Sequence, residues 1–538
     1  NMLKFNALKL HTFAVKSQLR HFSKSLSNYI DLSSHNSIKD TLNFIDSSSK
    51  IESVNDFNDI INHHATILDS KSNKTEEEYT DLYNLSLKLS KLLESTPDVN
   101  EEVKKEILNN LIERFTKYNY AISTLAFKKL LNDKTSLSQN SINQLITHNP
   151  GRVESSWNLY NSLKPENQSH DEILVSTMKK LLFGDPVEVK ENLHAVDLQK
   201  LIKIMKLYET VGNKDLIDES LSIELVKSLI KLECTAVITQ MVIPSSIFEK
   251  IISDSSIELN NSDYLYFYEA SINNGVSLSG NSLLKSFMPI SKLQLTSHVE
   301  SENLKTLKST LNIETIELAP LPDVVDEIRE YILELGLDDN PRIMLDLIKS
   351  AGFHSNDLQT AINYFQNYQS KIPDGTPEQN DFKSTLSLVC VYDCIYKEDG
   401  KMIDVAEALV PQSPLPASNN LSSLILYHGW FGNTDKSFDI YNQALNLFLK
   451  PHEGNESNRG MLIQSLIIVS LLGKEVELSR LIKQKSLEHN SLDEVYEIKI
   501  TNIFKEYGDI VEEVKDDEGE FRKSFKKIIL RTIMEMSP

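Results

Sequence analysis

The sequence predicts an all-α fold, and three observations carry that prediction. Apolar residues recur at helical spacing, as in Leu82, Leu85, Leu89, Leu92 and Leu93, then Val103, Ile107, Leu108, Leu111, Ile112 and Phe115, which places each set on one helix face. Glycine and proline number only 16 each in 538 residues, too few for a turn-rich β architecture of this length. Alternation of period two is nearly absent. The breaks are short and polar (Thr96-Pro97-Asp98, Asn149-Pro150-Gly151, Gly184-Asp185-Pro186, Gly212-Asn213), and turns of that size join antiparallel helices.

Taken in order, residues 1–22 stand apart. The first acidic residue is Asp31, whereas the whole chain has a formal net charge of −21. Lys4, Lys9, Lys16 and Arg20 alternate with Leu3, Phe5, Leu8, Leu10, Phe13, Val15, Leu19 and Phe22. A basic, acid-free amphipathic segment followed by serines has the composition of a mitochondrial transit peptide. A secretory signal would need an unbroken apolar core, and the lysines break it. Arg20-His21-Phe22-Ser23 resembles a matrix-protease site. The expected address is the mitochondrial matrix.

Residues 23–50, rich in Ser and Asn, read as a flexible linker. Residues 51–285 read as an N-terminal helical-repeat region. An irregular linker is expected over 286–322, around Pro289, Pro320 and Pro322, then a C-terminal helical-repeat region over 323–510. Residues 511–538 read as a charged C-terminal helix or tail. The chain holds no run of about 20 apolar residues, so no transmembrane segment is expected.

The repeat is visible in two copies and a weaker third. Ser156-Trp157-Asn158-Leu159-Tyr160-Asn161 is echoed by Ser437-Phe438-Asp439-Ile440-Tyr441-Asn442, and less closely by Ala361-Ile362-Asn363-Tyr364-Phe365-Gln366. Gly151 and Gly432 precede the first two, each after an apolar helical stretch. The unit is helix, tight turn, helix. A small residue (Ser156, Ala361, Ser437) lets the neighbouring helix approach, and Asn158 and Asp439 face outward. The expected architecture is an α-solenoid of degenerate helix-turn-helix repeats.

Tyr427-His428-Gly429-Trp430-Phe431-Gly432-Asn433-Thr434-Asp435-Lys436-Ser437-Phe438-Asp439-Ile440-Tyr441 resembles the core of a pentatricopeptide or tetratricopeptide repeat, and the stretch from Gly151 to Tyr160 is similar. The likeness covers well under half the chain, Ser stands where Ala is usual, and no regular period of about 35 residues is visible. With the leader, the chain resembles fungal mitochondrial helical-repeat factors. That resemblance implies a non-enzymatic protein acting on organellar transcripts in splicing, stability or translation. The implied partner is single-stranded mitochondrial RNA. The alternative is a tetratricopeptide-like scaffold for mitochondrial protein subunits, assembling a ribosome or an inner-membrane complex and peripheral to that membrane. The acidic charge favours the scaffold, since a negative surface repels phosphate backbones.

Chemistry-bearing motifs are scarce. There is no phosphate-binding GxxxxGK[ST], no GxGxxG after a strand and no HExxH, so no catalytic residue, cofactor or metal ligand is assigned. Three cysteines cannot form a disulfide framework; Cys390 and Cys394, one helical turn apart, read as buried helix residues. Adjacent His63 and His64 read as surface residues. Asp338 and Asp339, ahead of Asn340-Pro341, read as cap and turn chemistry. Tyr264, Tyr266, Phe267 and Tyr268 read as core. The candidate RNA contacts are Lys104, Lys105, Arg114, Lys117, Lys128 and Lys129, interleaved with Phe115, Tyr118, Tyr120 and Phe127, where cations meet phosphates and exposed aromatics stack on bases.

Overall fold

The computed structural model describes residues 32–48, 54–96, 99–123, 126, 137–150, 153–184, 196–296, 298–412, 415–448 and 455–538. The import-signal expectation for residues 1–22 lies outside the described residues. The fold is all-α: the described residues contain helices and turns and no strand. They divide into two compact units, one of residues 1–237 and 301–315, the other of residues 238–300 and 316–538.

Among the described residues the longer helices of the first unit include α1 (Ile38–Ser48), α2 (Val54–Ser70), α3 (Glu76–Ser95), α4 (Glu101–Phe115), α5 (Gln139–Thr147), α6 (Val153–Ser162), α7 (Asp171–Phe183), α8 (Leu198–Thr210) and α9 (Glu219–Lys231). A helix over Glu302–Thr310 packs on α8. The Asn and Ser clusters are largely N-caps, which satisfy orphan amides of the first turn. Thr75 and Glu78 form a reciprocal capping box, and Asn100 and Ser138 cap α4 and α5. The predicted stripe Leu82, Leu85, Leu89 and Leu93 is buried against Phe57, Ile60, Ile61, Ile107 and Leu111. α1 occupies much of what reads as the 23–50 linker, because Ile38, Leu42 and Ile45 are buried in that core.

The second unit begins with α10 (Ser245–Ser253), α11 (Asn261–Asn273), α12 (Gly280–Lys292) and α13 (Leu321–Glu334). Two helices, α12 and Glu302–Thr310, therefore occupy parts of the expected 286–322 linker; α12 continues through Pro289 because Phe287 and Ile290 bury against α13. The aromatic run on α11 packs in the core, as expected, with Phe267 fully buried.

Five helical hairpins follow: α14 (Pro341–Lys349) with α15 (Leu358–Gln369), α16 (Pro377–Lys397) with α17 (Ile403–Ala408), α18 (Ser418–Trp430) with α19 (Thr434–Phe448), α20 (Asn455–Leu472) with α21 (Val476–Glu488), and α22 (Glu494–Val514) with α23 (Glu518–Glu535). Their first helices start at 341, 377, 418, 455 and 494. The period invisible in the sequence is thus present in the structure, at 36 to 41 residues. Each hairpin turns on one left-handed residue: Asn356, Glu398, Gly432, Lys474 and Lys515. Only one of these is glycine, although the conformation costs another residue about 1–2 kcal/mol. Amide-to-carbonyl bonds from Asp399 to Cys394, Asn433 to His428 and Glu475 to Ser470 close the second, third and fourth turns, the pattern of a Schellman stop.

First helices pack side by side, α14 on α16, α16 on α18, α18 on α20 and α20 on α22. The three central ones, α16, α18 and α20, are consequently buried on nearly every side: in α16 every residue from Ser384 to Ile395 is buried, Cys390 and Cys394 included. The approach is close enough to exclude side chains. A Cβ on Gly352 would lie 2.4 Å from Val389, one on Gly429 2.4 Å from Val469, and one on Gly460 2.6 Å from Tyr496. Polar pairs recur on the same seam, a buried one from Ser384 Oγ to Asn420 at 2.8 Å and a partly buried one from Ser418 Oγ to Asn458 at 2.7 Å. The small residues opening second helices do what their position predicts. Ser437 is fully buried and donates to the Ile425 carbonyl at 2.8 Å, Ser156 donates to Ile146 at 3.3 Å, and Ala361 is fully buried. Asn158 and Asp439 are exposed.

The charged C-terminal segment forms a helix, and that helix has an apolar face. α23 buries Phe521, Phe525, Ile528, Ile529 and Ile533 and packs on α16 as well as on its partner α22. Arg522 anchors it, with its guanidinium 3.7 Å above the Trp430 ring and a 2.7 Å bond to the Trp430 carbonyl.

Because Gly429 faces Val469, Gly429→Ala is expected to lower unfolding free energy by about 1–3 kcal/mol despite the better helix propensity of Ala. Adding Val469→Ala should recover part of the loss in denaturant titrations, giving a favourable coupling in the double-mutant cycle.

Candidate nucleic-acid interface

The residues singled out in the sequence gather on α4 and the turn after it, but three of the four described cations are already paired. Lys104 bonds Glu101 at 3.0 Å and Lys105 bonds Glu102 at 3.5 Å, both within the first turn of their own helix. Lys117 pairs with Asp69 at 2.6 Å. Arg114 is half-buried, with its Nε lacking a hydrogen-bond partner. Phe115 is fully buried in the core, and the Tyr118 hydroxyl donates to Asp69. Lys128, Lys129 and Phe127 lie outside the described residues.

His64 corrects the surface reading of the His63-His64 pair. It is buried against α1, its Nε2 lies 2.6 Å from the Thr41 hydroxyl, and burial pulls its imidazole down to about 4. Asn340, not the acidic pair, caps α14 through the Arg342 amide, while Asp338 in the preceding turn accepts from the Tyr368 hydroxyl at 2.8 Å. Burial pushes the Cys390 thiol up to about 12, an inert state for a nucleophile. Among the described residues no group of three or more His, Cys, Asp or Glu side chains is placed to hold a metal.

A different basic surface emerges in the second unit. A cleft of about 1020 Å³ opens between α12, α14, α16 and α23. Its floor is Phe353 and Tyr392, in edge-to-face contact at 5.2 Å, and both are buried. Five cationic side chains line it, Lys292, Arg342, Lys349, Lys527 and Arg531, against two carboxylates, Asp346 and Glu535. Arg531 is held by Glu506 through two bonds of 2.9 and 3.0 Å. Lys349 donates to the Pro538 carbonyl. Lys292, Arg342 and Lys527 are exposed and enter no salt bridge among the described residues. Tyr396 stands at the rim, 44% exposed, with Lys526 Nζ 5.9 Å from its ring centre.

The backbone places these groups with some precision. Ser350–His354 form a single π-helical turn at the end of α14, a wide turn often found at functional positions. Gly352 lets that turn press on Val389, and Ser350 bonds Ser291 at 2.9 Å, tying α12 to α14. His354 is thereby carried to the cleft wall, buried, with Nδ1 lacking a partner. Burial, then the charges of Lys292 and Lys349, pull its imidazole down to about 4, so it is neutral at pH 7. Burial also raises the Asp346 carboxyl and lowers the Lys349 ammonium.

The sequence signal for this surface lies within the charged C-terminal segment. From Phe521 to Met534 there are five cations (Arg522, Lys523, Lys526, Lys527, Arg531) and no acid. The other walls come from helices far away in sequence, which no local pattern reveals.

Since unfolded histidine takes its proton near pH 6.5 and native His354 refuses it until about 4, the unfolded chain binds more protons between those values. Stability should therefore be full above pH 6.5 and fall as pH drops toward 4, by up to about 3 kcal/mol from this residue. Denaturant titrations at pH 7 and 4.5 should show a smaller acid loss in His354→Phe than in the parent.

Two family models match the chain: the MRX12 middle domain over residues 158–369 and the MRX12 C-terminal domain over residues 442–536. Lys292, Arg342, Lys349 and His354 fall within the first match, Lys527 and Arg531 within the second. A crystal structure of the pentatricopeptide repeat protein PPR10 from maize aligns over 87% of this chain and 82% of its own, at 11% identity and a TM-score of 0.21, too loose a superposition to carry detail across. The chain is similar, at 22% identity over 461 residues that span 80% of it and 86% of the relative, to MIOREX complex component 12 of Saccharomyces cerevisiae.

Proposed function

We propose that this chain is a non-enzymatic mitochondrial helical-repeat protein that binds organellar RNA and promotes its splicing, stability or translation. One observation carries the RNA reading: in a chain of net charge −21, three cations without salt bridges and an exposed tyrosine share one cleft. Cations gathered in one cleft repel one another, and an anionic ligand relieves that repulsion. The mitochondrial address rests on the acid-free basic leader of residues 1–22.

The scaffold reading is favoured separately by the similarity to the Saccharomyces cerevisiae relative, which is a complex component. Crosslinking and immunoprecipitation from mitochondria, with RNA and protein both sequenced, separates the two. The expected result is one or a few enriched transcripts, with loss of the protein changing their splicing, abundance or translation. Recovery of protein subunits without RNA, and transcripts unchanged by the loss, would replace the RNA reading with the scaffold.

A further inference from the structure

Resting on the RNA reading, we infer that the cleft between α12, α14, α16 and α23 is a single-strand site, seating phosphates on Lys292, Arg342 and Lys527 and a base on Tyr396.

Its size argues for a single strand. At about 1020 Å³ the cleft matches the upper end of small-ligand sites, roughly 300–1,000 Å³. Readers of duplex RNA instead need an open surface tracking about 16 base pairs. A strand in a walled cleft can turn a base toward the side, and Tyr396 is the exposed aromatic there.

The division of charge argues for phosphate rather than for a carboxylate partner. Arg531 and Lys349 are engaged by Glu506 and by the Pro538 carbonyl. They shape the wall, while Lys292, Arg342 and Lys527 come from three different helices and enter no salt bridge among the described residues, with Asp346 the carboxylate that feels the charges of Lys292 and Arg342. Three separated cations suit successive phosphates of a backbone better than one compact anion. The aromatic neighbour adds stacking that tolerates any base, worth roughly 1–3 kcal/mol. No Asn or Gln lines the cleft, so the bidentate amide contact that reads an adenine edge is absent from its lining.

The test uses the full chain and fluorescence anisotropy with three probes: labelled 12-mers of uridine and of adenosine, and a 12-base-pair RNA duplex. Both single strands should bind, the duplex at least 10-fold more weakly. The triple variant Lys292→Glu, Arg342→Glu, Lys527→Glu should lose at least 10-fold in affinity. Its log–log salt slope should fall by about 2, from about 0.7 per lost phosphate contact on a single strand. Tyr396→Ala should weaken binding roughly 5- to 100-fold while leaving the salt slope unchanged. All four positions are exposed, so melting temperatures near the parent value establish that the variants are folded. Parent binding of single strands that the triple variant retains, or duplex binding as tight, overturns the cleft site and leaves the RNA reading standing. Failure of the parent to bind any probe at low salt overturns both.

Discussion

The second unit depends on how closely successive first helices approach one another. Gly352 against Val389, Gly429 against Val469 and Gly460 against Tyr496 leave no room for a Cβ. Dispersion contacts fall off within an ångström, so a seam this tight forfeits much of its attraction if either helix is displaced. Ser–Asn pairs on the same seam add a directional requirement, since each would be left unsatisfied by a slip along the helix axis. The π-helical turn at Ser350–His354 belongs to this seam, so the position of His354 in the cleft follows from packing.

Charge is distributed on a different logic from packing. Surface lysines elsewhere are commonly matched to a carboxylate nearby, frequently three or four positions away on the same helix, as at Lys104, Lys305, Lys397 and Lys485. Such pairs contribute little stability, but they cancel the local field. In the cleft that cancellation is incomplete. The contrast explains why net charge is a poor guide to what a chain can bind: an acidic total is compatible with one concave region of opposite sign, where low-dielectric walls concentrate the field.

Helical class and the hairpin unit were legible because they depend on local periodicity and small residues. Ser156, Ala361 and Ser437 could be placed against the preceding helix from sequence alone. The period was hidden because its left-handed turns are occupied by Asn356, Glu398, Lys474 and Lys515 as well as by Gly432. Backbone closure there comes from hydrogen bonds that any residue can supply. Nearly uniform burial of α16, α18 and α20 also removes the amphipathic contrast that pattern reading relies on. The basic run on α4 was visible, yet its neutralisation needed coordinates: Lys117 meets Asp69 across 48 positions, and the packing of Phe115 is a tertiary fact. For the cleft, only the α23 cations were in plain view, and their meaning depended on helices contributed by earlier parts of the chain.

The return of α23 onto α16 has a consequence for the order in which the molecule is made. Lys526 bonds the carbonyl of Tyr396, 130 residues earlier. Each preceding hairpin can stack on its neighbour as it is synthesised, since chains fold in units from the N-terminal side. The cleft cannot: one of its walls arrives only with the fifth hairpin, by a contact that closes a long loop. An unfinished array would leave Trp430 without the helix that covers it, and the cleft without the wall that carries Lys527 and Arg531. The cleft is therefore a property of the completed unit, absent from any shorter part of the hairpin array.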